Sequence, residues 1–293
     1  MFQTTHKMFL RDSRSMDNID DESVHLILTS PPYWNIKKYP ENPCQLGNIS
    51  DYRLFLAELK KVIEECFRVL VRGGRLCMVV GDICVARKQG RHRVIPFHSH
   101  VIQLCLDAGL DYLSPIILYK IANVTTEAKR ETYALGKYLG PNSIIKNDIE
   151  YVLIFRKPGA YRRVDKHLAA LSRLRKNEFI EYFRQVWWVN GCRVSNHPAP
   201  FSLELARRLV KMFSYVGDTV LDPFLGSGTT SLAAIYTLRS SIGYEVEPSY
   251  VKSAKNRIRR ALTRDNIPYS MVNGEHPESG IVFQVSEVPF RSD

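Results

Sequence analysis

The stretch Val220-Leu221-Asp222-Pro223-Phe224-Leu225-Gly226-Ser227-Gly228-Thr229-Thr230 decides the fold. It has the pattern of a short apolar strand that runs into a glycine-containing turn and then into a helix. The two glycines let the backbone approach a ligand closely, while Ser227 and the two threonines offer hydroxyls and helix N-terminal amides. The spacing matches neither the G-x-G-x-x-G of nicotinamide dinucleotide sites nor the G-K-[ST] ending of a P-loop. The turn therefore predicts a site for another charged small molecule.

An acidic residue stands after the next predicted strand. Glu245, within Gly243-Tyr244-Glu245-Val246-Glu247, lies about twenty residues beyond the glycine turn. In a parallel sheet that separation places a carboxylate where it can bind adjacent ribose hydroxyls. An acid after a strand is common, but an acid at this distance from a glycine turn is much less so.

Short β-rich runs alternate with helical patterns along the chain, which predicts an α/β fold with a mostly parallel sheet. Gly73-Gly74 is expected to end the first helix and Gly109 the second. The predicted strands are residues 24–28, 76–80, 116–119, 151–155, 219–221 and 241–244, and the predicted helices are residues 51–70, 97–108, 203–213 and 249–262. The last thirty residues are polar enough to predict a partly loose tail.

Length and charge narrow the class of protein. A chain of 293 residues with 45% hydrophobic content can bury one large domain with an insertion. Lys and Arg outnumber Asp and Glu by 41 to 30, a formal net charge of +11, which indicates a polyanionic partner and is also compatible with a membrane surface.

No apolar run reaches the roughly 18 residues that cross a bilayer, so we expect a cytoplasmic protein. The six cysteines form no C-x-x-C pair and lie mostly in apolar stretches, which favours buried thiols. We expect no metal site, because His98 and His100 lack a second ligand cluster.

A proline-rich loop follows the first predicted strand, Val24 to Leu28. It consists of Thr29-Ser30-Pro31-Pro32-Tyr33-Trp34. Consecutive prolines fix φ and remove two backbone donors, which leaves carbonyl groups free to accept hydrogen bonds from an amino group. Ser30 offers a hydroxyl acceptor and Tyr33 an aromatic face on which a base can stack. Taken alone, the loop is equally compatible with a structural turn.

Two basic segments interrupt the alternation of strands and helices. The composition of the first segment, residues 81–95, predicts an exposed loop. The second segment, residues 157–197, also contains Tyr182, Phe183, Trp187 and Trp188. The candidate phosphate-binding residues are Arg87, Lys88, Arg91 and Arg93 in the first segment and Arg162, Arg163, Arg173, Arg175 and Lys176 in the second. We interpret the second segment as an inserted recognition element. The alternative is a solvated helical hairpin whose aromatic residues pack on the core.

These motifs resemble those of the amino-methyltransferases of bacterial restriction-modification systems. In that family, [S/D/N]-P-P-[Y/F/W] is the catalytic motif and D-P-F-x-G-S-G-T-T the cofactor motif. The catalytic motif comes first here and the cofactor motif last, which resembles the beta group, a circular permutation of the simplest methyltransferase order. The resemblance implies a Rossmann-like methyltransferase fold with a small inserted target-recognition segment. It argues against release-factor glutamine methyltransferases, in which the cofactor motif precedes N-P-P-Y.

The resemblance also implies roles for individual residues. S-adenosyl-L-methionine is the implied cofactor, and Asp12 resembles an aspartate that approaches its adenine, although Arg11 stands where glycine is usual. The implied catalytic residues are Ser30, Pro31, Pro32 and Tyr33, with Trp34 beside them as a DNA contact. The implied cofactor-binding residues are Asp12, Asp222, Phe224, Gly226, Ser227, Gly228, Thr229, Thr230 and Glu245.

In the expected domain organisation, residues 1–156 and 198–265 are the catalytic and cofactor-binding halves of one methyltransferase domain. Residues 157–197 are the recognition insertion, and residues 266–293 are a C-terminal extension.

The expected activity is methylation of an exocyclic amino group in double-stranded DNA, after the target base is flipped out of the duplex. Serine at the first motif position accompanies mainly cytosine N4 in the family, whereas aspartate accompanies adenine N6. We therefore expect an N4-cytosine enzyme, with an N6-adenine enzyme as the alternative. A third hypothesis is a nucleic-acid-binding protein of the same fold without catalysis. By analogy we expect a homodimer and a cognate restriction endonuclease; the DNA recognition sequence is not readable from the chain.

Overall fold

The computed structural model describes residues 3–36, 38–85, 91–120, 141, 145, 147–189, 201–273 and 281–285. Within these residues, ten strands form one sheet in the order β11-β12-β1-β10-β9-β2-β3-β7-β6-β8, and β4 and β5 form a separate hairpin. The strands are β1 (Thr4–Leu10), β2 (Val24–Thr29), β3 (Leu70–Val80), β4 (Ile83–Val85), β5 (Arg93–Ile95), β6 (Asp111–Lys120), β7 (Ile149–Arg156), β8 (Val186–Val189), β9 (Thr219–Asp222), β10 (Ser240–Glu245), β11 (Tyr269–Asn273) and β12 (Ile281–Val285).

The centre of the sheet is parallel. Strands β1, β10, β9, β2 and β3 run in one direction, so their carboxyl ends meet at one edge, here called the carboxyl edge. Strands β7 and β12 run antiparallel to this block on either side of it. Strand β6 is antiparallel to β7, and β8 is parallel to β6, so both again end at the carboxyl edge.

Helices cover both faces of the sheet. They are α1 (Tyr52–Val69), α2 (Phe97–Asp107), α3 (Lys166–Leu171), α4 (Lys176–Tyr182), α5 (Leu203–Phe213), α6 (Thr229–Tyr236) and α7 (Pro248–Arg264). The apolar stripes of α1 and α2 bury Phe55, Leu59 and Phe97 against one face. Helices α5 and α6 bury Leu209 and Ala233 against the other. No helix in the described part of the chain is long and apolar enough to cross a membrane.

The predicted alternation of strands and helices is confirmed, and the predicted helix 203–213 coincides with α5. Gly73-Gly74 does not end α1 as predicted. The helix ends at Val69, and the two glycines lie inside β3, where Gly73 has φ +76°. A Cβ on Gly73 would lie 2.5 Å from the carbonyl oxygen of Ala160, so glycine admits the neighbouring chain here.

Both ends of the chain contain strands that were not predicted. Strand β1 lies between β10 and β12, and β11 and β12 form an antiparallel hairpin at one side of the sheet. Two segments of the predicted tail are therefore strands of the sheet, and residues 274–280 and 286–293 lie outside the described residues.

The second basic segment contains two short helices, α3 and α4, followed by β8. Tyr182 and Trp187 are buried in the core, whereas Trp188 is 72% exposed. Because β8 pairs with β6, this part of the segment extends the main sheet. Two consecutive short helices are thus present, as in the alternative of a helical hairpin, and Tyr182 and Trp187 pack on the core. The role of this segment in target recognition stays a prediction.

Candidate active site

The proline-rich loop and the glycine turn meet at the carboxyl edge. Strands β2 and β9 are neighbours, with Leu26 opposite Val220 and Ile27 opposite Leu221, so the two segments that follow them share a cleft. The cleft is lined by Arg11, Asp12, Ser13, Ser30, Pro32, Tyr39, Cys44, Gln45, Leu46, Pro223, Phe224, Tyr244, Glu245, Val246 and Tyr250. The two predicted constellations thus form one site, as parallel strands of an open sheet allow.

Asp222 connects the two halves of the site. Its carboxylate accepts hydrogen bonds at 2.7 Å from the hydroxyls of Thr29 and Thr230, and at 3.1 Å from the backbone N–H of Phe224. Burial raises the pKa of Asp222 to about 6, although these hydrogen bonds oppose the shift. Of the predicted cofactor-binding residues, Asp12, Phe224 and Glu245 line the cleft. Six others do not line it, namely Asp222, Gly226, Ser227, Gly228, Thr229 and Thr230. The side chains of Asp222 and Thr230 position the catalytic loop against the turn.

The glycine turn is organised around a buried acid. Glu245 accepts from the backbone N–H of Gly226 at 2.9 Å and from that of Glu247 at 3.0 Å. Burial raises the pKa of Glu245 to about 7. Gly226 and Gly228 have φ values of +50° and +74°, a region that favours glycine. The turn therefore needs both glycines, and the acid faces the cleft at its base.

Arg257 of α7 holds the two hydroxyl residues of the turn. Its Nη1 donates to the carbonyl and hydroxyl oxygens of Ser227, at 3.1 and 3.0 Å, and to the Thr229 hydroxyl at 2.8 Å. This role of Arg257 was not predicted from the sequence. Its only signal is the position of a basic residue on the helix that follows the acid.

A second unpredicted arginine holds Asp12. The Nε of Arg14 donates to both carboxylate oxygens of Asp12, at 3.1 and 2.9 Å, and its Nη1 reaches Glu58 on α1. The two carboxylates raise the pKa of the Arg14 guanidinium above its usual range. Asp12 is thereby fixed on the cleft wall by a charged group two residues away.

The catalytic loop converges on one carbonyl group. The Ser30 hydroxyl donates to the Val79 carbonyl oxygen at 3.0 Å, and the Tyr33 hydroxyl donates to the same atom at 3.3 Å. Pro31 and Pro32 are buried. Tyr33 is half-buried against Phe97, and burial raises its pKa well above the usual range. Because the Ser30 proton is used in the bond to Val79, the lone pairs of the Ser30 oxygen remain free to accept hydrogen bonds.

Trp34 is not among the residues that line the cleft. Its φ is +50°, and its indole packs edge-on against Tyr52 with ring centroids 5.3 Å apart. The indole Nε1 is buried and has no hydrogen-bond partner among the described residues. The ring is partly buried and packs against the core, and the role of Trp34 as a DNA contact stays a prediction.

The rim beside Tyr33 contains a further polar pair. Asp82 is the second residue after β3, and its Oδ1 lies 2.6 Å from His98 Nδ1. The His98 ring stacks on Tyr151 at 4.4 Å. His98 was predicted to lie outside any metal cluster but was not paired with Asp82, because fifteen residues lie between them in the chain.

The predicted DNA-binding residues divide between opposite edges of the sheet. Arg91 and Arg93 are exposed in and beside the β4–β5 hairpin, which follows the carboxyl end of β3. Arg87 and Lys88 lie outside the described residues. Arg162 instead pairs with buried Asp218, immediately before β9, at the edge opposite the catalytic loop. Its guanidinium is thus engaged within the protein, and the phosphate contact predicted for Arg162 stays a prediction.

The other predicted DNA-binding residues of the second segment lie near the same edge of the sheet as Arg162. Ser172, between α3 and α4, accepts from the backbone N–H of Val216 at 2.9 Å, which ties the helical hairpin to the turn before β9. The residues on this hairpin and on the loop before it, all exposed, are Arg163, Arg173, Arg175 and Lys176. They lie on an element attached near the amino ends of the strands.

An open sheet with a glycine turn, a buried acid one strand later and a proline-rich loop across the same cleft defines an S-adenosylmethionine-dependent amino-methyltransferase. The chain belongs to the N6/N4 DNA methylase family, whose sequence model matches residues 24–256. The prediction of the family from its motifs is thus confirmed, and the protein is a DNA methyltransferase.

Relatives match along most of the chain. The type II methyltransferase M.MjaI of Methanocaldococcus jannaschii is 38% identical over 276 residues, covering 84% of this chain and 88% of its own. M.MthZI of Methanothermobacter thermautotrophicus is 32% identical and covers 90% of this chain and 79% of its own. A protein assigned as a DNA modification methylase of Thermus thermophilus, solved with S-adenosyl-L-methionine, is 44% identical with a TM-score of 0.71. It covers 87% of this chain and 95% of its own.

The cleft fits S-adenosyl-L-methionine, which is the cofactor of this enzyme. Glu245 supplies a buried acid for paired hydroxyls, and Asp12 supplies a second carboxylate farther along the wall. Phe224 adds an apolar surface for a flat ring, and the N–H of Gly226 holds the Glu245 carboxylate in place. These donors and acceptors match a ligand with a ribose, an aromatic base and a charged tail.

Proposed function

We propose that the enzyme transfers a methyl group to the exocyclic N4 amino group of cytosine in duplex DNA, after flipping the base into the cleft. The observation that carries this proposal is the geometry of Ser30. Because its hydroxyl donates to the Val79 carbonyl oxygen, its oxygen faces a substrate as an acceptor. A neutral acceptor of this kind accompanies cytosine N4 in the family that the motif resembles.

Positioning accounts for most of the chemistry. An exocyclic amino nitrogen is a poor nucleophile, because its lone pair is delocalised into the ring. Hydrogen bonds from its two N–H groups to the Ser30 oxygen and the Pro31 carbonyl favour a pyramidal nitrogen that can attack in line. Tyr33 stacks on the base, and its hydroxyl bond to Val79 fixes the ring. S-adenosyl-L-methionine supplies the electrophilic methyl group.

The cofactor is held by the opposite wall of the cleft. Glu245 binds the ribose hydroxyls, Asp12 approaches the adenine, and Phe224 covers its ring. The turn of Gly226, Ser227, Gly228 and Thr229 carries the charged tail, supported by Arg257. In this proposal Asp222 and Thr230 act through the loop and the turn that they join.

The DNA lies along the carboxyl edge, where Arg91 and Arg93 contact phosphates. Such contacts raise affinity without reading sequence. The type II names of the relatives support a place in a restriction-modification system with a cognate endonuclease. We further propose that the enzyme is a homodimer and is cytoplasmic.

Nucleoside analysis tests the target base. The full-length enzyme is incubated with unmethylated genomic DNA and isotope-labelled S-adenosyl-L-methionine, and digested nucleosides are separated by mass spectrometry. N4-methylcytosine is the expected product. Labelled N6-methyladenine would show that the target base is adenine instead of cytosine. Unlabelled DNA, with cofactor still bound to the protein, would favour a non-catalytic DNA-binding protein. Sequencing the modified DNA then gives the recognition site, with Ser30→Ala as the inactive control.

A further inference from the structure

A basic groove runs along the outer surface of the helices that support the cofactor turn. Helix α6 forms its floor, and α5 and α7 contribute its walls. Its volume is about 640 Å³, and it is lined by Leu203, Leu232, Tyr236, Ser249, Lys252, Ser253, Asn256, Arg257, Arg260, Ala261 and Arg264. Four of these residues are basic and none is acidic. The groove shares no lining residue with the cofactor cleft.

One face of α7 presents donors at regular intervals along this groove. Lys252, Asn256, Arg260 and Arg264 are exposed and four residues apart. At a rise of 1.5 Å per residue, successive side chains start about 6 Å apart, and the row is about 18 Å long. Such spacing suits a polymer with regularly repeated negative charges better than a single small anion.

The charges of this row are only partly neutralised. Arg264 pairs with Asp265 at 2.9 Å, but Lys252 and Arg260 make no ion pair among the described residues. On the facing helix, the guanidinium of Arg207 lies 5.9 Å from the centre of the Tyr236 ring. Arg207 is exposed and adds positive charge beside the groove, although the basic residues that line it all lie on α7.

The groove begins at the carboxyl edge. Helix α7 starts at Pro248, just after Glu245 ends β10, and α5 starts at Leu203 on the opposite wall. Its upper end is thus adjacent to the edge where the active site opens. From there it descends between the helices, away from the cleft.

We propose that this groove binds the phosphate backbone of duplex DNA outside the target site. Guanidinium, ammonium, amide and hydroxyl donors at intervals of about 6 Å provide contacts to successive phosphates but carry no means of reading bases. The proposal rests on the enzyme acting on DNA, and it is independent of which amino group is methylated. Its role is to increase affinity for long DNA and to keep the enzyme bound between target sites.

A double substitution, Lys252→Gln with Arg260→Gln, tests the groove. Binding to a 40-base-pair duplex is measured by fluorescence anisotropy over a series of salt concentrations. Because each phosphate contact contributes about 0.9 to the slope of log affinity against log salt, we expect the slope to fall by about 1.8. At low salt, affinity should fall at least tenfold. The matched control, Arg72→Gln with Lys166→Gln, removes two exposed charges elsewhere, and its affinity should change less than twofold.

Three measurements separate this groove from the active site. Cofactor affinity and thermal stability should be unchanged in the double variant, and methylation of a short duplex should fall much less than that of long DNA. The charge-restoring pair Lys252→Arg with Arg260→Lys should recover binding. An unchanged affinity and salt slope would overturn the proposal. So would a change of oligomeric state at constant DNA affinity, because the groove would then bind a second copy of the chain.

Discussion

The two walls of the active site are held in different ways. On the cofactor side, the acids Asp222 and Glu245 accept hydrogen bonds with both carboxylate oxygens, and Arg257 fixes the turn hydroxyls. On the catalytic side, Ser30 and Tyr33 share a single carbonyl acceptor, and Trp34 has a strained φ and an unpartnered indole N–H within the described part of the chain. The cofactor wall is thus complete before ligands arrive, whereas the base wall keeps acceptor capacity for the substrate.

The largest expected effect comes from Ser30→Ala on the base wall. The substitution removes the acceptor for the amino group, and we expect kcat to fall by about 10²- to 10³-fold, the usual range for one transition-state hydrogen bond. Cofactor affinity, measured by calorimetry, should change less than threefold. Tyr33→Phe is the comparison variant: it keeps the stacking ring and removes only the hydrogen bond to the Val79 carbonyl, so its loss of kcat should be smaller. A large loss of cofactor affinity in Ser30→Ala would show that the two walls are not separable.

On the cofactor wall, Gly226→Val should weaken S-adenosyl-L-methionine binding by about 100-fold. Gly226 has φ +50° and donates its N–H to Glu245, and a β-branched side chain both disfavours this conformation and fills the approach to the acid. Calorimetry measures the dissociation constant directly. Gly217→Val serves as control, since Gly217 also has a positive φ but no atom lies within 4 Å of its Cβ position. Equal losses in both variants would indicate general strain instead of a cofactor contact.

Glu245→Gln should reduce cofactor affinity by about tenfold at pH 8 and remove most of its pH dependence. The pKa of Glu245 is raised to about 7, so the carboxylate that accepts from ribose hydroxyls forms as pH rises from 6 to 8. Cofactor affinity of the unmodified enzyme should therefore increase over this range and level off above it. The opposite slope would contradict the assignment of Glu245 to the ribose.

The same raised pKa predicts a change in stability without cofactor. A carboxyl group whose pKa is raised by folding stabilises the fold at low pH, and this contribution is lost as pH rises through about 7. Glu245→Gln should flatten that decline in the free energy of unfolding. Asp222, with a pKa of about 6, should leave a residual dependence at lower pH in both proteins.

The parallel centre of the sheet could be predicted from the sequence, because its strands are apolar and are followed by the proline-rich loop, the glycine turn and the acid. Strand β1 was missed because Thr4 and His6 interrupt its apolar pattern. In the fold both are buried, with His6 Nδ1 2.9 Å from the Ser241 hydroxyl and His6 Nε2 3.0 Å from the Thr4 hydroxyl. Polar side chains that satisfy each other inside a sheet leave no hydrophobic signal.

The sequence also predicted which motifs meet, but not which side chains face the ligand. Asp222 matches a cofactor motif, yet its carboxylate accepts a hydrogen bond from Thr29, which is 193 residues away in the chain. Arg162 belongs to a basic segment, yet Asp218 places it at the opposite edge. Such assignments depend on contacts between distant segments, and charge or motif alone does not encode them.

The smallest expected effect distinguishes the two interpretations of Trp34. If its indole belongs to the core, Trp34→Phe removes a buried unpaired donor and keeps the ring against Tyr52, so methylation and DNA affinity should change less than twofold. The lost donor and the smaller ring act in opposite directions on stability, and the net change should stay within about 1 kcal/mol. Anisotropy with duplex DNA and chemical denaturation measure both quantities. A tenfold loss of DNA affinity at unchanged stability would instead restore Trp34 as a DNA contact, and would mean that the catalytic loop rearranges when DNA binds.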